Sequence, residues 1–77
     1  MKEIQPQRLL GQDWLDQIFT TKSAQTGGLV RRKIVDVNRE ISQEALELEV
    51  RRRGYHMLRC GGHFVILCKS DPITLIC

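Results

Sequence analysis

Apolar residues change their spacing three times along this chain, and each change marks an element. Trp14, Leu15, Ile18 and Phe19 fall on one face at helical spacing, with Asp13 and Asp16 placed toward the positive end of a helix starting near Gln12. Residues 1–11 have no such period and contain Pro6, so they read as an extended or frayed arm. The polar run from Thr20 to Gly28 ends in two glycines and predicts a connector with room to move. Val30, Ile34, Val37 and Ile41 then recur at spacings of 4, 3 and 4, an apolar stripe about 60° wide, and favour a helix over 29–41. The competing reading is a strand over Leu29 to Val37, but the adjacent Ile34-Val35 and the run Arg31-Arg32-Lys33 break a two-residue alternation. Ser42 is an N-cap for a helix over Gln43 to Arg53, and Gly54 is its stop. Acids early (Glu44, Glu47, Glu49) and bases late (Arg51, Arg52, Arg53) match that helix's dipole, and Glu47–Arg51 and Glu49–Arg53 are i,i+4 pairs. Ala45 and Leu48 also prolong the Val30 stripe, so one long helix, open to pairing between chains, stands beside the two-helix reading.

After Gly54 the period becomes that of strands. Gly61-Gly62 between strand-forming runs predicts a two-residue hairpin turn, which pairs Cys60 with His63. One face then carries Tyr55, Met57, Phe64, Ile66 and Cys68, with Arg59 near the tip; the other carries His56, Leu58, Cys60, His63, Val65 and Leu67. The first is the better core, and the second is apolar enough to call for cover, partly from another chain. Lys69 to Pro72 predicts a turn and Ile73 to Cys77 a third short strand. The expected fold class is α+β: amphipathic helices first, then a C-terminal antiparallel hairpin or three-stranded sheet, in a single small domain over 12–77.

With 77 residues the core is small, and a second copy of the chain is a natural way to cover leftover apolar surface. Three cysteines is an odd number and the first residues form no apolar leader, which points to reduced thiols and a cytoplasmic location. Apolar runs are too short for a membrane span, so a soluble chain is expected. Net charge is +3, and its surplus lies in the middle: residues 29–54 carry seven basic and five acidic side chains. No cofactor motif or small-molecule site stands out.

Three constellations carry candidate chemistry. Cys60 and His63 would project side by side, with Cβ atoms about 5 Å apart, close enough to share a metal ion. Two ligands do not make a site, however: His56 lies about 13 Å along the strand, and Cys68 faces the other way. The bland reading is a small thiol beside a turn histidine. His63 is also a candidate general acid–base. The succession of a helix, Gly54-Tyr55, a strand and Gly62-His63-Phe64-Val65-Ile66 resembles the HicA-type mRNA interferase toxins, whose histidine follows Gly-Ser before a strand. That resemblance spans about 25 residues and implies RNase activity with His63 in the catalytic role. The chain departs from it in having Gly-Gly-His, in ending without a helix after the sheet, and in the more than 40 residues in front.

The third constellation is the pair of basic runs, Arg31-Arg32-Lys33 and Arg51-Arg52-Arg53, candidate nucleic-acid contacts. Helix, short turn, helix and hairpin resemble the order of winged helix-turn-helix modules, which implies residues 43–53 as recognition helix and 55–69 as wing. The arginines sit at the C-terminal end of that helix, whereas Glu44, Glu47 and Glu49 would repel phosphate, and a solvated helix end explains much of the run. The sequence therefore predicts a small binding module that self-associates and contacts nucleic acid. An RNase using His63 and a purely homodimerising protein-interaction module are the alternatives.

Overall fold

A computed structural model describes residues 6–77. Its elements run α1 (Pro6–Phe19), α2 (Lys22–Gln25), β1 (Leu29–Lys33), α3 (Ile34–Glu40), α4 (Gln43–Arg52), β2 (His56–Cys60) and β3 (His63–Leu67). The class is α+β with a three-stranded antiparallel sheet, in the order β1-β3-β2. No helix among the described residues is long and apolar enough to cross a membrane.

The first helix starts six residues earlier than its apolar face alone predicted. Proline is well placed in a first turn because its missing N–H has no intrahelical partner there, and α1 opens on Pro6. Residues 6–11 are thus helix rather than arm; the rest of the predicted arm, 1–5, lies outside the described residues. Asp13 and Asp16 fall within the helix instead of at its start, and Asp16 accepts a hydrogen bond from Gln12 Nε2 at 2.8 Å. The connector holds the one-turn helix α2, capped by Thr21, whose Oγ1 accepts from Ala24 N at 3.3 Å. Gly28 closes it: its N–H donates to Ser23 O at 2.6 Å, and a Cβ at this position would come within 2.9 Å of the same oxygen.

The segment read as a helix over 29–41 is half strand, half helix. Leu29 to Lys33 pairs with Leu67 to His63, and the pairing is clamped at both ends, Cys68 N donating to Gly28 O and Ile34 N to Gly62 O, each at 2.9 Å. Only then does α3 begin. The 4-3-4 stripe is still the inward face: Val30 and Val37 are buried, Ile34 and Ile41 half-buried against the core, but Val30 reaches it from a strand. The break at Ser42 is real and decides for two helices. Ser42 Oγ accepts from Ala45 N at 3.1 Å, and α4 ends with Gly54 at φ +75°, Gly54 N bonding Arg51 O and Tyr55 N bonding Val50 O. Those two bonds form a Schellman stop, which a glycine at this position makes inexpensive.

The hairpin has the expected register, Cys60 opposite His63 and Met57 opposite Ile66, with Gly61 at φ +61°. Its core face is the one expected. Phe64, Ile66 and Cys68 are buried with Leu15, Ile18 and Phe19 of α1, Val37 of α3, and Leu46 and Val50 of α4. Ile73 to Cys77, in contrast, forms no strand. The place beside β3 is taken by β1, and the tail is left exposed. On the second sheet face Leu29 and Leu58 are exposed and Val65, Leu67 and His63 half-buried, so within one chain this face stays partly open.

Candidate nucleic-acid interface

The two basic runs behave differently in the fold. At the end of α4, every arginine has an acidic partner one turn back. Glu49 binds both Arg52 and Arg53, at 2.6 Å to each, and Arg51 lies 3.7 Å from Glu47. Burial pushes the Glu49 carboxyl up, but hydrogen bonds and charge from Arg52 and Arg53 outweigh it and hold it below the ordinary carboxylate range. The same pairing raises Arg52 further. Arg53 also lies 4.3 Å over the Phe19 ring, which fastens α4 to α1. This cluster is structural first: its charge is matched locally, and one guanidinium is committed to packing.

The other run is gathered with new neighbours by the sheet. Because β1 pairs with β3, the rows across the sheet read Lys33–His63–Cys60, Arg32–Phe64–Arg59 and Arg31–Val65–Leu58, all at the end next to the Gly61-Gly62 turn. Arg31, Lys33 and Arg59 are exposed, and among the described residues none of the three makes an ion pair. Arg32 is half-buried, with its Nη1 donating to Arg31 O at 2.8 Å. Asp36, the nearest acid in sequence, is paired with Arg39 at 3.1 Å. The result is a basic rim around the hairpin tip.

The two predicted runs therefore do not form one surface. Arg51 to Arg53 lead through Gly54 into the start of β2, while Arg31 to Lys33 sit at the turn end, separated by a strand of about 13 Å. Arg59 is the member that the basic runs did not reveal. It stands alone in sequence, and the pairing of β1 with β3 brings it to the same end of the sheet as Arg31 and Lys33, though in the row of Arg32 and Phe64 and so on the opposite face.

His63 lies half-buried between Lys33 and Cys60, and among the described residues no hydrogen bond holds its ring. His56 is held, its Nε2–H donating to the Asp71 carbonyl at 2.7 Å. Cys60 and Cys77 are exposed and Cys68 buried, all three as free thiols. Burial pushes the Cys68 thiol up, an effect that the charge of Arg53 partly offsets. Among the described residues no group of three or more His, Cys, Asp or Glu side chains comes together to hold a metal, so Cys60 and His63 find no further ligand there. No family model, curated protein or solved structure matches this chain.

Proposed function

We propose that the chain is a small nucleic-acid-binding module that contacts phosphates through the rim of its hairpin, with Arg31, Lys33 and Arg59 as the principal contacts. The observation that carries this reading is the sheet register, which brings three exposed cations without acidic partners among the described residues to one end of the sheet, Arg31 and Lys33 on its outer face and Arg59 on the other side of the rim. Phosphate contact is what unpaired, solvated guanidinium and ammonium groups do well, and it needs no shaped pocket.

The succession of α3, a two-residue turn, α4 and the β2–β3 hairpin keeps the likeness to winged helix-turn-helix modules. It also suggests how this chain differs in use. The N-terminal half of α4 presents Glu44 and Glu47, which repel phosphate, and its arginines are ion-paired, so the wing end rather than the helix makes the contact. Single-strand stacking has little support: Phe64 and Tyr55 both pack toward the core and leave the outer sheet face without an aromatic ring. The reading is therefore of backbone contact to a duplex or structured nucleic acid in a reducing, cytoplasmic setting.

The test is a titration of labelled duplex across salt concentrations, with the wild type and an Arg31→Ala/Lys33→Ala variant. Three phosphate contacts predict a slope of log K against log salt of about −2.7, falling to about −0.9 in the variant. Absence of binding at low salt, or binding unaffected by the two substitutions, would sink the proposal.

A further inference from the structure

We infer that the open edge of β2, together with the facing side of α4, is a groove that receives the Ile73–Cys77 segment of a second copy of this chain as an added strand. Hydrogen-bond phase decides which side of β2 is open. In an antiparallel ladder alternate residues point their N–H and C=O groups to opposite sides. Cys68 bonds Gly28, so the even residues of β3 serve β1 and the odd ones serve β2. On β2 the bonded partners are accordingly His56, Leu58 and Cys60. The main-chain groups of Met57 and Arg59 point away, to an edge that no strand among the described residues covers.

That edge is not flat surface. It borders a groove of ≈ 290 Å³ whose far wall is one stripe of α4, Gln43, Glu47 and Arg51, and whose floor includes Val50 and Phe64. A strand laid there gains main-chain bonds from Met57 and Arg59 and an apolar floor for alternate side chains, the mode by which extended segments add to sheet edges.

The chain carries a segment with the matching properties. Ile73-Thr74-Leu75-Ile76-Cys77 is rich in strand-forming residues, yet Leu75 is 89% and Ile76 85% exposed. His56 fastens the preceding Asp71 beside the start of β2, and beyond it the tail stands clear of its own groove. Alternation puts Ile73, Leu75 and Cys77 on one side and Ile76 on the other, so an added tail would present apolar side chains both to the floor and to the half-open outer face at Leu58. Reciprocal exchange doubles the contact, toward the roughly 1,200 Å² at which specific pairs begin. It covers in one step the two apolar surfaces that a single chain leaves unmatched.

Sedimentation of the full chain, with amide hydrogen exchange at two concentrations, tests this. The expected result is a dimer in which the Met57 and Arg59 amides are protected, protection being lost on dilution. Leu75→Asp/Ile76→Asp, which alters only exposed positions, and Arg59→Pro, which removes an edge N–H that β3 does not use, should each weaken dimerisation at least about tenfold. A monomer at high concentration overturns the inference, as does a dimer indifferent to the tail variant. Protected Met57 and Arg59 amides in a chain that sediments as a monomer also overturn it, because the tail would then fill its own groove.

Discussion

Replacing Glu49 by Gln keeps the side chain's size and removes the charge that organises the end of α4. Glu49 is the acid shared by Arg52 and Arg53, and its side chain is only 11% exposed. Arg52 is largely exposed, and screening by solvent leaves its pair with little effect on stability. Arg53 matters more: its Nε sits 2.6 Å from Glu49, and its guanidinium lies over Phe19, a core residue of α1. Loss of one charge-assisted bond in a partly buried site, with some loosening of the stacked arginine, should cost about 1 kcal/mol. For a domain of this size that is a fall in Tm of about 4–8 °C, with an unchanged urea m-value. The pH dependence supplies a second signature. A carboxylate held below its ordinary range stabilises the fold above its unfolded pKa, and that contribution is lost as pH falls through the folded value. The gap between wild type and Glu49→Gln should therefore be full near pH 7 and close below the ordinary carboxylate pKa of about 4.3. A difference under about 0.3 kcal/mol at pH 7, or a gap that keeps its size in acid, would refute the assignment.

Three further outcomes follow from local geometry. Ser42→Ala removes the oxygen that accepts from Ala45 N and should cost about 1 kcal/mol in urea unfolding. Gly61→Ala should cost about 1–2 kcal/mol because φ is +61°, whereas Gly62→Ala, in open space without a positive φ, should be near neutral in the same assay. A thiol reagent on native protein should label Cys60 and Cys77 quickly, and Cys68 only at the rate of unfolding.

The hairpin and α4 were legible because their signals are local. Gly61-Gly62 fixes a turn, the turn fixes the register, and the register assigns Phe64, Ile66 and Cys68 to the core. Ser42 and Gly54 likewise bracket α4 by their own hydrogen-bond and backbone chemistry. The strand β1 was not legible for the opposite reason. Val30 faces the core in either conformation, and what makes 29–33 a strand is the vacant edge of β3, more than thirty residues away. A helical apolar period yields to such long-range pairing. Once β1 holds that edge, Ile73 to Cys77 loses the partner its composition called for. The basic rim depended on the same fact, since Arg31, Lys33 and Arg59 come to one end of the sheet only through the pairing of β1 with β3.

The most direct measurement of the central claim is the salt dependence of duplex binding by fluorescence anisotropy. Contact through Arg31, Lys33 and Arg59 predicts that affinity falls about fortyfold between 50 and 200 mM salt, and that Arg31→Ala/Lys33→Ala removes most of that dependence. Binding with a flat salt response, or none at 50 mM salt, would contradict it.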